Sequence, residues 1–317
     1  MTQGSLHRLL PYLLLTLSSL FWAGNWVTGR ALREAFGPVA ISFWRWAIAV
    51  VIVLPFVWRE LHAQRHLIRR HWRLLTVLAL SSVVFFNTFV YVGLRTTQAI
   101  NAVLLNSCIP LFILLAAWLM DGQRASRRQL FGMALSFLGI LAIVTRGEWQ
   151  RLADLGFHEG DLWILVAVPI WAFYSVLLKR KPAELSGLPL VAIFSAIGVL
   201  VLAPAYVLEM LYWVPPVVPS WEALAGVAYI GVFASVAAFV CWNAGVAAVG
   251  ANIAGFTVHL LPLFGTLLAI LFLGEQPRLF HVAGFAAILA GVLLATWSGQ
   301  RPWVRRRGGG PPAAGSR

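Results

Sequence analysis

Arg45 and His259 interrupt long runs of this 317-residue chain that otherwise carry no charge. A guanidinium in such a run is a fork for a carboxylate or phosphate, and an imidazole is a proton carrier near neutral pH. Amides, hydroxyls and indoles recur around them at helical spacing. Trp22, Asn25 and Trp26 stand at i, i+3 and i+4 and share one helix face. Trp171, Tyr174 and Ser175 repeat that spacing, Asn87 lies one turn before Tyr91, and Asn243, Ser107 and His259 complete the set. Such groups suit a water-filled pocket for a small, partly apolar solute, with aromatic walls and a few orienting polar atoms. Each also has a packing role open to it, as an interfacial tryptophan or as an interhelical hydrogen bond.

Other chemistries have no candidates. No Asp or Glu occupies the centre of an apolar run, so a catalytic acid–base pair or a carboxylate proton relay has no members. Cys108 and Cys241 stand apart from each other and from any ligand cluster, and they read as small buried hydrophobes rather than a disulfide or metal site. A G-x-x-x-x-G-K-[ST] loop is absent, so the chain holds no ATP-binding motif of that kind. We expect no catalytic residue, metal or cofactor. Two roles remain open for Arg45, holding an anionic substrate group or snorkelling to the outer headgroups, and a position about a third of the way into its run favours the second. For His259 the alternatives are proton coupling or no proton step at all.

The elements that must position these residues follow from composition. Sixty per cent of the residues are hydrophobic and 11% charged, against about 25% charged in soluble domains. That leaves too little polar surface for water, so the partner is a lipid bilayer. The net charge of +13 lies in loops between apolar runs rather than in a basic module, which argues against nucleic acid. Ten runs reach or approach the ~20 residues that cross a hydrocarbon core: 9–28, 38–58, 74–94, 99–120, 129–145, 162–178, 188–208, 221–242, 251–273 and 279–297. They are apolar all round rather than alternating, so they are helices and not barrel strands. With a cytoplasmic N-terminus, 17 of the 24 Lys and Arg fall inside and six outside, Arg45 lying within a span. By the positive-inside rule both termini are cytoplasmic. The first run has no small-residue cleavage site and reads as a retained helix. The Gly-, Pro- and Arg-rich tail 299–317 is expected to be a disordered basic cytoplasmic segment near anionic lipid.

The chain repeats itself. An offset of 152 pairs Pro110-Leu111-Phe112 with Pro262-Leu263-Phe264, Gly93 with Gly245, Gly132 with Gly284 and Gly139 with Gly291. An offset of 149 pairs Trp22-Ala23 with Trp171-Ala172 and Pro55 with Pro204. The domains are therefore 1–149 and 150–298, each of five helices. An odd number forces the second half to enter from the opposite face, giving inverted repeats with a site between them. Pro110 and Pro262 are matched hinge candidates, because proline removes a backbone hydrogen bond and kinks a helix.

Three stretches carry a family likeness: Trp22-Ala23-Gly24-Asn25-Trp26-Val27; Tyr91-Val92-Gly93-Leu94 with Ala99-Ile100-Asn101-Ala102 leading to Pro110-Leu111-Phe112; and Pro262-Leu263-Phe264 with Leu273-Gly274-Glu275. In order and spacing the chain resembles EamA-type members of the drug/metabolite transporter superfamily over nearly its whole length. The resemblance implies an all-α membrane fold of ten helices in two inverted five-helix repeats around a central cavity, in the bacterial inner membrane. It also implies carriage of amino acids, nucleobases, sugars or related metabolites. The first repeat departs from the pattern, with Asp121-Gly122-Gln123 where a Gly-Glu pair is usual. The expected activity is secondary transport by alternating access, export favoured over import. An intramembrane lipid-modifying enzyme and a channel are the alternatives, and oligomeric state is left open.

Overall fold

The computed structural model describes residues 3–148, 150–153, 155–213, 219–273 and 276–296. The basic tail and the Gly274-Glu275 pair lie outside these residues. Ten long helical segments run through the described chain: α1 Gln3–Ala31, α2 Pro38–Ala63, α3 Trp72–Thr96, α4 Asn101–Asp121, α5 Arg127–Val144, α6 Glu159–Arg180, α7 Gly187–Tyr212, α8 Trp221–Val249, α9 Ala251–Leu271 and α10 Leu279–Thr296. Short helical turns, Arg65–Arg70 and Gln150–Ala153, lie in connections. No strand occurs among the described residues. In lipid each backbone N–H and C=O must find its partner within the protein, and a helix provides this without neighbours.

Nine of the described helices, α2 to α10, are long and apolar enough to cross a membrane. The tenth expected span falls in α1, which has 29 residues, about 44 Å at ~1.5 Å per residue. Its apolar character is diluted by Ser18, Ser19 and Asn25, all of which are buried against other helices. Large side chains such as Phe56, Leu119 and Leu200 face outward, as lipid contact requires. Trp58, Trp72, Trp213 and Trp221 are exposed near helix ends, where indoles favour the interface.

Pairs of residues at the repeat offsets meet in symmetric fashion. Across α5 and α10, a Cβ on Gly132 would come within 2.6 Å of Gly291 O, and one on Gly139 within 2.7 Å of Gly284 O. Since 132 pairs with 284 and 139 with 291, each contact is the image of the other under a two-fold operation. Gly93 abuts Ile164 as Gly245 abuts Leu15. Residues near the axis touch their own counterparts: Trp22 meets Trp171 edge-on at 5.1 Å, and His259 Nε2 lies 2.9 Å from Ser107 O. Glycine is what permits the α5–α10 approach, because no Cβ separates the backbones.

The breaks in the helices are paired too. A π-helical stretch at Leu80–Phe85 widens α3, and its counterpart at Ile230–Ala237 widens α8. A turn at Ser107–Cys108 divides α4, and a 3₁₀ turn at Thr257–His259 divides α9. Pro110 sits in the first turn of the new segment Ile109–Asp121, where a proline costs no hydrogen bond. The discontinuity therefore precedes the proline by a few residues, and Pro262 stands at the third residue of Leu260–Leu273. Pro55, Pro169 and Pro204 lie inside continuous helices.

Two ends of the bundle differ. Where α1 finishes, a cavity opens between α1, α3, α4, α5 and α9. At the other end α4 meets α6 and α9: Asp121 pairs with Lys179 and, at 3.4 Å, with Arg180, and Asn252 Nδ2 donates to Gln123 Oε1 at 3.2 Å. Buried carboxylates tie other joints. Glu209 of α7 accepts from the backbone N–H groups of Val39 and Ala40, capping α2 from the neighbouring repeat at 2.9 and 2.8 Å. A side chain at Gly37 would strike that carboxylate. Asp161 caps α6 through His158 N and accepts from Thr97 and Asn101.

Candidate functional site

The centre of the molecule is aromatic. Trp22 of α1, Trp171 of α6 and Trp242 and Phe239 of α8 form one cluster with centroid separations of 5.1 to 5.9 Å. The Trp22 indole is oriented by its Nε1–H, which donates to Ala234 O at 3.1 Å. Ala234 lies within the π-helical stretch of α8.

Against this cluster lies a narrow central cavity of about 30 Å³, lined by Trp22, Asn25, Trp26, Phe86, Asn87, Val90, Asn106, Ile109, Trp171, Phe239, Val258 and Leu261. A wider cavity of about 270 Å³ adjoins it and shares Trp26, Asn106 and Leu261 as walls. It extends past Val27, Leu94, Ala102, Val144 and Ala269 to Arg30, toward the end opposite the Asp121 contacts. Both cavities draw walls from each repeat. The wider one approaches the lower end of small-ligand pockets, about 300 Å³.

Of the residues singled out in the sequence, Trp22, Asn25, Trp26, Asn87 and Trp171 line the narrow cavity. Arg45 and Tyr91 stand behind that wall. Arg45 is fully buried, and its snorkelling to the headgroups is thereby overturned. Its Nε–H donates to Ser235 Oγ at 2.8 Å, and its Nη1 donates to Asn87 Oδ1 at 2.7 Å and Tyr91 Oη at 2.8 Å. The guanidinium also packs 5.0 Å from the Trp46 ring. Its Nη2 has no hydrogen-bond partner among the described residues. The Tyr91 hydroxyl in turn donates a hydrogen bond to Asn25 Oδ1 at 2.6 Å.

The second repeat makes the same joint with the residue types exchanged. Tyr174, at the position of Asn25, donates to Asn243, at the position of Tyr91, also at 2.6 Å. Tyr174, Ser175 and Asn243 are buried and are not among the lining residues of either cavity. The Ser175 hydroxyl is satisfied by Trp171 O. His259 and Ser107 likewise stand apart from the walls. The His259 ring is fully buried between Ser136 Oγ and Ser107 O and clamps the α4 and α9 breaks together. Sequence reasoning missed Asn106, which lines both cavities and makes no side-chain hydrogen bond among the described residues. Its signal was available: an amide inside a span, one residue before Ser107.

No group of three His, Cys, Asp or Glu suited to a metal occurs among the described residues. The model of the EamA-like transporter family matches twice, over residues 9–145 and 158–297. The chain belongs to the EamA-like transporter family. An uncharacterized transporter of Archaeoglobus fulgidus is 30% identical over 286 residues, covering 90% of this chain and 96% of the relative. A probable terminal-alkyne amino-acid exporter of Streptantibioticus cattleyicolor is 24% identical, covering 94% and 96%. A riboflavin transporter of Brucella anthropi is 27% identical, covering 69% and 71%. A solved crystal structure superposes with a TM-score of 0.71 at 18% identity, covering 89% of this chain and 95% of its own. The EamA-like family and these relatives are transporters rather than enzymes, and this chain is a multi-pass membrane protein of that kind.

Proposed function

We propose that this EamA-like protein is a secondary carrier that moves a small metabolite across the inner (cell) membrane by alternating access, with export as its working direction. The observation that carries the reading is a cavity walled by both repeats, open toward one end of the bundle while Asp121, Lys179, Arg180, Gln123 and Asn252 join the other. In this assignment residues 1–149 and 150–298 are the two moving units. Both termini are cytoplasmic, the joined end is the cytoplasmic one, and the breaks before Pro110 and Pro262 are the hinges. The named exporter among the relatives supports the direction. The burial of His259 away from the cavity favours movement on the solute gradient over a proton step at that residue.

The substrate is an amphipathic metabolite of amino-acid or heterocycle size, held by Trp22, Asn25, Trp26, Asn87, Asn106 and Trp171. Purified protein in vesicles, loaded with unlabelled amino acids or flavins, tests the reading by counterflow of the labelled solute. Saturable, trans-stimulated flux is the expected result. Flux that stays linear with concentration would indicate a channel, and chemical conversion of the solute would indicate an enzyme.

A further inference from the structure

The hydrogen-bond directions behind the cavity wall follow from donor and acceptor chemistry alone. A guanidinium has five N–H donors and no acceptor. Arg45 must therefore donate to Tyr91 and Asn87, which makes Tyr91 Oη and Asn87 Oδ1 acceptors. With that lone pair engaged, the Tyr91 O–H donates to Asn25, whose Oδ1 is consumed from behind. The Nδ2 of Asn25 is left without a protein partner among the described residues, on a side chain that lines the narrow cavity. The Nδ2 of Asn87 turns back to Ser82 O. The relay Arg45, Tyr91, Asn25 thus ends in an N–H donor presented to the solute.

Charge points the same way. Arg45 is buried with three neutral acceptors and no carboxylate, and its Nη2 is unpartnered. A buried charge without a counterion is costly. Arg30, on the wider cavity, also has an unpartnered Nη1. No Asp or Glu lines either cavity. The repeat relation shows how one-sided this is. The positions equivalent to Arg45 and Asn87 in the second repeat are Phe194 and Phe239. The amides that line the narrow cavity, Asn25, Asn87 and Asn106, all come from the first repeat with Arg45 behind them, whereas the second repeat contributes Trp171, Phe239, Val258 and Leu261.

Resting on the carrier reading, we propose that the solute is an organic anion with a flat apolar body. Its carboxylate or equivalent acceptor group meets Asn25 in the narrow cavity, and its body lies in the adjoining wider cavity against Trp26, Val27 and Leu261. Arg45 acts as a positioning residue, polarising Asn25 and Asn87 and supplying the field that selects the anion.

The test is equilibrium binding of radiolabelled indole-3-propionate to the purified full-length protein, competed with its neutral amide and with tryptamine. The expected order is anion at least tenfold tighter than amide, with tryptamine weakest. Arg45→Gln should lower anion affinity more than amide affinity and bring the two within about threefold, with monodisperse elution of the purified variant reporting intact folding. Tyr91→Phe, which keeps the guanidinium but releases Asn25 Oδ1, should lower anion affinity several-fold on its own and decides the matter if Arg45→Gln does not fold. Equal loss of anion and amide in these variants, amide or tryptamine binding as tightly as the anion, or no binding of the anion to the wild type would each overturn the proposal. Counterflow on the same preparation separates it from the carrier reading. Saturable flux of cations with anions inert leaves carriage standing and removes anion selectivity, whereas anion-selective binding without saturable flux removes carriage and leaves the site.

Discussion

Replacing Asp121 with Asn should open the joined end of the molecule. The carboxylate, 15% exposed, meets Lys179 and Arg180 across the repeat boundary, and these two side chains are 38% and 49% exposed. Pairs this wet contribute about 0.2–1 kcal/mol each, so the two together supply about 0.4–2 kcal/mol. If both contacts are lost when that end opens, the open population rises by a factor of about 2 to 30 on removing the charge. Thr257 lies on α9 between Asn252 and the cavity and is 3% exposed, so a cysteine there reports the opening. In a background with Cys108 and Cys241 replaced by alanine, Thr257→Cys should be modified by a membrane-impermeant maleimide faster by that factor when Asp121→Asn is present. Raising ionic strength to ~1 M shortens the Debye length to ~3 Å, so salt should accelerate labelling of the Asp121 protein and leave Asp121→Asn unaffected. Labelling rates that match in the two backgrounds at low salt would refute the latch.

Other outcomes follow from the packing. Gly139→Leu should lower the thermal unfolding midpoint by an amount equivalent to about 1–3 kcal/mol through overpacking against α10, because its Cβ would meet Gly284 O at 2.7 Å. Gly265→Ala, with nothing within 4 Å of the added Cβ, is the matched control and should leave the midpoint within about 0.5 kcal/mol. Glu209→Ala strips two N–H groups of α2 of their acceptor and should cost about 1–2 kcal/mol in the same melt. Asn106→Leu removes an amide that makes no internal hydrogen bond, so it should leave the melt unchanged and cut saturable flux several-fold; an unaltered flux would remove Asn106 from the solute path.

The exchange of residue types at the two Tyr–Asn joints explains what could be foreseen. Asn25 and Tyr174 were visible at equivalent spacings, as were Tyr91 and Asn243, because helical periodicity and a constant offset are properties of the sequence itself. That they would bond to each other was not visible, since the partner lies 66 or 69 positions away. Arg45 shows the limit most sharply. Distance along α2 suggested reach to the headgroups, but rotation about the helix axis aims the guanidinium at α3 and α8, where Asn87, Tyr91 and Ser235 wait. Asn106 and Ser107 are adjacent, yet the turn between the two parts of α4 puts one in the cavity and the other against His259.

By itself the sequence determined that the chain is helical, that it lives in lipid and that it is doubled. Apolar length and the scarcity of charge within the runs leave a self-satisfying helix as the backbone solution in a bilayer, and matched residues at constant offsets mark the two copies. The tertiary structure alone decided which polar groups face solute and which fasten helices. That choice depends on how far each helix is rotated and on which neighbour supplies a buried donor with its acceptor, and no local spacing along one chain encodes either.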